Sequence, residues 1–92
     1  DDIWLSPFYQ RDSCAISCHN FHDKDYKKYF AAIEPIFWKY NGRPHWGKIH
    51  TLTAKEQRAR YPMFDEFLKV RQAMDPKAIF TNSHINTVLG LS

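Results

Sequence analysis

Residues 41 to 53 read Asn-Gly-Arg-Pro-His-Trp-Gly-Lys-Ile-His-Thr-Leu-Thr, a stretch that interrupts two helix-like patterns and can belong to neither. Asn41-Gly42 is a turn signal, and Pro44 disfavours the helical conformation at Arg43. From His45 to Thr51 the backbone is expected to run as a short strand or extended loop. Alternation would put Trp46, Lys48 and His50 on one side and His45, Gly47 and Ile49 on the other. Gly47 leaves room for another backbone or a flat ligand to approach. Two histidines, a lysine, an arginine and a tryptophan so close together mark this as the place to look for chemistry.

The flanks set the fold class. Before the stretch, Tyr26, Tyr29, Phe30, Ile33, Ile36, Phe37 and Tyr40 recur at spacings of three and four, which predicts a helix opened by Asp23. Its aromatic stripe reads as core, with Lys27, Lys28, Glu34 and Lys39 on a solvated face and Pro35 as a kink. After the stretch, Thr53 and Glu56 spell a capping box for a short helix to about Arg60. Pro62 suits the first turn of another helix, whose apolar face is Met63, Phe64, Phe67, Leu68, Val70 and Met74. Asp75-Pro76 stops it, Ile79 and Phe80 read as a short buried extended piece, and Asn82 and Gly90 bracket a terminal helix.

Upstream, Ile3, Leu5 and Phe8 suggest a short strand interrupted by Pro7. Ser13–Phe21 reads as a second strand, with Cys14, Ile16 and Cys18 on one face. A lone strand has no ladder, and a two-stranded ribbon is marginal in water. The expected class is therefore α+β: a mostly helical fragment with one or two strands of a sheet whose partner strands are missing. Such an unpaired strand would also make the fragment prone to self-association.

Composition narrows the function. A chain of 92 residues is at most one domain and buries only about 60–65% of its unfolded surface. The net charge is +3, but the basic residues are scattered and form no long run, which argues against a nucleic-acid partner. No apolar run approaches the roughly 18 residues of a membrane span, and no signal-peptide pattern is present. The opening Asp1-Asp2-Ile3-Trp4 reads as the middle of a longer protein, cytoplasmic or membrane-associated. Cys14, Cys18, His19 and His22 resemble a metal cluster on paper. Residues four apart on a strand are about 13 Å apart, however, too far for one zinc ion or a disulfide. No metal site is expected, and two buried free thiols lean toward a reducing compartment.

Nucleophile elbows, phosphate-binding loops and dinucleotide fingerprints are absent, and with three glycines nothing cradles a pyrophosphate. Lys48 could stabilise developing negative charge on a flat or redox ligand, and His45 could hydrogen-bond or transfer a proton near neutral pH. The residues alone reach a site for an anionic or redox ligand, and the alternative is a stand-alone, non-enzymatic basic module that binds an anionic partner.

A resemblance separates these readings. Gly42-Arg43-Pro44-His45-Trp46-Gly47-Lys48, His50-Thr51-Leu52-Thr53, Tyr61-Pro62 with Phe64, Phe67, Val70-Arg71, Asp75-Pro76, Phe80 and Asn82 together resemble the C-terminal end of the sugar-lactone oxidases. So do Trp4-Leu5-Ser6-Pro7 and Tyr9-Gln10-Arg11-Asp12-Ser13 upstream. That family holds D-arabinono-1,4-lactone oxidase, L-gulonolactone oxidase and, more distantly, alditol oxidase, within the vanillyl-alcohol-oxidase type of FAD enzymes. The resemblance implies that residues 1–92 are the C-terminal, substrate-side part of a cap domain, with the FAD-binding domain outside this chain and the isolated piece inactive. It implies a sugar-lactone or polyol substrate, FAD as cofactor, hydride transfer to the flavin, and O₂ or another acceptor reoxidising it. His45, Trp46, Gly47 and Lys48 would contact flavin or substrate, with Lys48 and His45 in catalytic roles. From position alone, Ser17, Cys18 or His19 on the neighbouring strand would line the same pocket, and Arg43 and His50 read as structural or supporting groups. Two departures, Ala78 where the family usually has Gly and His84 where Tyr is common, are expected to lie away from the His-Trp-Gly-Lys stretch.

Overall fold

Four helices carry the regular structure among the described residues: α1 (Tyr26–Lys39), α2 (Ala54–Arg60), α3 (Phe64–Met74) and α4 (Ser83–Leu89). The computed structural model describes residues 1–91. Among these residues there is no β-strand, so the α+β expectation is overturned: the architecture is all-helical, joined by long irregular segments. Each expected strand fails for a local reason. Residues 1–10 close on themselves, because the Asp1 carboxylate accepts from the Ile3 N–H at 3.1 Å and the Ser6 hydroxyl at 2.6 Å. Short polar side chains that bond nearby backbone compete with a ladder in this way. Ser13–Asn20 runs without regular structure and with no ladder partner among the described residues. At residues 45–48 the Lys48 N–H bonds the His45 carbonyl at 3.1 Å, and that turn destroys the expected alternation.

The helix boundaries follow the caps. Asp25, two residues beyond the expected Asp23, caps α1 by accepting from the Lys27 N–H at 3.0 Å. Glu56 accepts from the Thr53 N–H at 2.8 Å and from the Thr53 hydroxyl at 2.5 Å, completing the box that opens α2. Pro62 occupies the turn between α2 and α3 instead of the first helical position. Asn82 caps α4 through the Ile85 N–H at 2.9 Å, and Gly90 ends it at φ +69°, a left-handed position suited to glycine. The turn after α3 is built around Asp75, whose carboxylate accepts from the N–H groups of Ile79 at 2.8 Å and Phe80 at 3.0 Å and pairs with Arg71 at 3.2 Å. Those bonds hold its pKa below the usual carboxylate value, the Ile79 N–H contributing most. Within that turn Ala78 sits at φ +51°, a conformation that costs an L-residue about 1–2 kcal/mol.

The core is small and lies to one side. Tyr61, Phe64, Val88 and Leu89 form it, ringed by Leu5, Trp46, Ala54, Phe67, Leu68, Ile85 and Leu91. The expected burial of Ile79 and Phe80 does not occur: they are 69% and 83% exposed, since Asp75 captures their backbone and turns the side chains outward. Nor is the α1 stripe a core. No α1 residue is buried, and Tyr26, Tyr29 and Ile36 are exposed. The helix runs through Pro35. Cys14 and Cys18 are free thiols, but the first is exposed and the second half-buried, against the expectation of two buried ones.

Candidate functional site

Between α1 and the 42–50 loop lies a cavity of about 460 Å³. The inner face of α1 supplies Phe30, Ile33, Glu34, Phe37 and Trp38, the loop supplies Gly42 to His45 and Lys48 to His50, and residues 16–20 close a third side. One wall is thus aromatic and apolar, and the opposite wall carries a guanidinium, an ammonium and two imidazoles. The Lys48 ammonium, on an exposed residue, forms no ion pair and no side-chain hydrogen bond among the described residues. Glu34 is the one carboxylate on the lining, and it accepts a hydrogen bond from the Thr51 hydroxyl.

The loop is held in place from several directions. Arg11 Nη1 donates to the Asn41 carbonyl at 3.0 Å, and Arg60 Nε donates to the Gly42 carbonyl at 3.1 Å. Gly42 closes against α1, its N–H on the Phe37 carbonyl at 2.8 Å; a Cβ there would meet that oxygen at 2.9 Å. Arg43 reaches three carbonyls, Arg60 at 2.9 Å, Tyr9 at 2.9 Å and Pro7 at 3.4 Å, with its guanidinium 4.9 Å from the Tyr61 ring centre. Burial, and then the charge of Arg11, lower the pKa of Arg43. Burial pushes the Tyr61 phenol up to about 12, opposed by the two arginines.

His45 and Lys48 face the cavity together, although alternation would have separated them. The His45 Nδ1 accepts from the Gly47 N–H at 3.0 Å, so in the neutral ring Nε2 carries the hydrogen and is the free donor. Trp46 is not on the cavity lining. Its indole N–H donates to the Leu5 carbonyl at 2.7 Å and its ring packs 5.2 Å from Tyr61, which makes it the link between loop and core. Gly47 lines a second, shallower cavity of about 370 Å³ with Lys48, Ile49, His50 and His84. A Cβ on Gly47 would meet only the His45 ring, at ordinary contact distances of 3.5 and 3.6 Å. Ser17, Cys18 and His19 do line the first cavity.

Two residues on these walls escape the sequence reading. His84 was expected apart from the loop, yet its Nε2 lies 2.8 Å from the Trp46 carbonyl and its ring 5.9 Å from that of His50. A carbonyl only accepts, so Nε2 of His84 is the donor. Nothing in a separation of 38 residues announces that contact. Glu34 was assigned to the solvated face of α1, but with Phe30, Ile33 and Phe37 it falls on one i, i+3, i+4, i+7 stripe. That signal was available. The His50 Nδ1 accepts from the Leu52 N–H at 3.1 Å, while its Nε2 is buried without a partner among the described residues. Burial, with His84 adding to it and Glu34 opposing, lowers the pKa of His50. No group of three His, Cys, Asp or Glu side chains among the described residues is arranged to hold a metal ion. No helix among them is long and apolar enough to cross a membrane.

Comparison with known proteins agrees with the loop's residue pattern. The family profile described as D-arabinono-1,4-lactone oxidase matches residues 1–88. The chain is 46% identical over 90 residues to an L-gulono-1,4-lactone dehydrogenase of Mycobacterium tuberculosis, covering 98% of this chain and 21% of that protein. It is 41% identical over 92 residues to the L-gulonolactone oxidase of Mus musculus, covering 96% of this chain and 21% of that protein. The alditol oxidase of a Streptomyces species is 34% identical over 92 residues, covering 97% and 22%. The chain thus spans about a fifth of the length of these relatives. No solved structure matches it significantly.

Proposed function

The chain belongs to the D-arabinono-1,4-lactone oxidase family, and from that premise we propose that it is the C-terminal, substrate-side portion of an FAD-dependent oxidoreductase acting on a CH–OH group of a sugar lactone or alditol. The observation that carries the reading is the shared exposure of Lys48 and His45 on one cavity, opposite the aromatic wall of α1. The residues fit part of the cofactor. An apolar, aromatic wall facing cationic donors suits the flat ring of a flavin and a polyhydroxy substrate beside it. No glycine-rich loop suits the pyrophosphate, which accords with a separate nucleotide-binding domain in the same protein.

FAD, when bound, supplies the two-electron acceptor and passes those electrons to O₂ or another acceptor. The chain's own residues supply electrostatics and position. As the substrate carbinol carbon gives up hydride to the acceptor that FAD would supply, and its hydroxyl proton passes to solvent, negative charge builds transiently on the oxygen. The Lys48 ammonium, unpartnered by any carboxylate among the described residues, would stabilise that charge. His45, with Nδ1 engaged by the Gly47 N–H, would offer its Nε2–H to a substrate or flavin oxygen.

The test is single-turnover flavin reduction in the full-length enzyme, followed anaerobically at about 450 nm, the oxidised-flavin band. Lys48→Met is expected to slow reduction by about 10²-fold or more with FAD still bound. An unchanged rate would remove Lys48 from the chemistry. A full-length protein that binds no FAD would sink the reading altogether and favour a non-enzymatic basic module.

A further inference from the structure

Arg43 and Arg60 are cations that line or flank the cavity, yet neither pairs with a carboxylate among the described residues. The ion pairs found there are Arg58–Asp65, Lys69–Glu66 and Arg71–Asp75, all on α2, α3 and the turn after it. Each arginine instead binds a backbone carbonyl in the other's segment. Arg43 Nε donates to the Arg60 carbonyl at 2.9 Å, and Arg60 Nε donates to the Gly42 carbonyl, one residue before Arg43, at 3.1 Å. Each guanidinium then takes a further anchor: Arg43 Nη1 the Tyr9 carbonyl at 2.9 Å, Arg60 Nη1 the Glu56 carbonyl at 3.0 Å. Each also lies against an aromatic face, Tyr61 at 4.9 Å for Arg43 and Trp38 at 5.4 Å for Arg60.

Cohesion alone does not call for this arrangement, since well-packed apolar groups hold a fold at least as well as a desolvated charge. A guanidinium supplies direction: a planar fork whose donors meet several acceptors at fixed angles. The loop beyond it transmits that direction. Pro44 has its φ locked by its ring. Residues 45–48 are closed by the Lys48 N–H on the His45 carbonyl at 3.1 Å and by the Gly47 N–H on His45 Nδ1 at 3.0 Å. These contacts restrain the backbone between the Arg43 anchor and Lys48.

We infer that the reciprocal Arg43–Arg60 clamp is a positioning device for Lys48, setting where its ammonium stands in the cavity without itself touching the reacting atoms. The inference rests on the catalytic reading of Lys48 above. Its effect is read from the flavin reduction rate in two backgrounds of the full-length enzyme. With Lys48 present, Arg43→Lys keeps the charge but loses the fork, and a displacement on the ångström scale is expected to slow reduction about 10- to 10²-fold with substrate affinity little changed. In the Lys48→Met background the same substitution is expected to cost less than about threefold, because its route to the chemistry is gone. Arg60→Lys, the other half of the clamp, should repeat the pattern.

Equal losses in both backgrounds, with Lys48→Met itself strongly impaired, would overturn the clamp and leave the catalytic role of Lys48 standing. A Lys48→Met enzyme that reduces flavin at the parental rate would overturn both. Loss of bound FAD in both arginine variants would also overturn the clamp, since the pair would then act on the fold and not on Lys48. A merely structural role would lower the melting temperature without making the rate loss depend on Lys48.

Discussion

The helix that walls the cavity and the helical core that anchors its loop are made on different principles. The α2–α3–α4 half closes on itself: Tyr61 and Phe64 are 1% and 0% exposed, and Trp46 carries the loop onto them. The α1 half has the stronger periodic pattern, yet it buries no residue. Its aromatics cluster among themselves, Phe30 lying 5.3 Å from Tyr26 and 5.5 Å from Tyr29, or face the cavity. A strong amphipathic stripe therefore says that a helix forms and which face is apolar. It does not say that this chain covers that face.

The largest effect should separate the halves directly. Phe64→Ala removes a fully buried ring and is expected to cost about 3–5 kcal/mol, seen as a large drop in the urea midpoint. Tyr29→Ala, at a residue 41% exposed, should cost less than about 1 kcal/mol in the same chain. Comparable losses at the two positions would erase the distinction, and α1 would have to be counted as core after all.

The seam between the halves gives the next test. Gly42 is where the loop leaves α1, and an added Cβ would sit 2.9 Å from the Phe37 carbonyl oxygen and 3.2 Å from its Cβ. Both contacts are with groups fixed by the helix, so the loop must move. Gly42→Ala is expected to destabilise by about 1–3 kcal/mol, the range for overpacking. It should also lower flavin reduction in the full-length enzyme, because the loop that moves carries Lys48. A stability loss with an unchanged reduction rate would show that the loop adjusts without disturbing its far end.

What could be read in advance divides along the same line. The Thr53–Glu56 box, the Asn82 cap and the Gly90 stop were visible because each depends on residues within a turn of one another. The cluster around Lys48 was visible from residue types. The strands were misread because alternation at Ser13–Phe21 specifies a face but supplies no partner for the backbone, and Asp1 and Ser6 draw residues 1–10 into turns. The clamp was invisible for a different reason. Arg43, Arg60, Arg11 and Trp46 all bond backbone carbonyls, and a carbonyl has no residue type to leave in the pattern. Ala78 was flagged as an odd residue for its turn, and its φ of +51° gives that oddity a physical form.

The smallest expected effect, and the one that probes the seam without altering its packing, is a pH dependence carried by His50. Its Nδ1 accepts the Leu52 N–H at 3.1 Å, so a proton arriving there would face another N–H and break that bond. Burial and the His84 ring from α4 lower its pKa, while Glu34 from α1 pulls the other way. A base with a lowered folded-state pKa binds fewer protons folded than unfolded. Its stabilising contribution is therefore complete above the unfolded value near 6.5 and is lost as pH falls below that value toward the folded one. The thermal midpoint of the parent chain should accordingly fall more between about pH 8 and about pH 5 than that of His50→Gln, which has no proton to take up there. If the two fall in parallel, the proton is taken up elsewhere. Glu34→Gln removes the opposing charge from the α1 side, so it should lower the His50 pKa further and steepen the acid loss. A flat response to Glu34→Gln would mean that α1 is electrically silent at the seam, and the two halves would then meet there through packing alone.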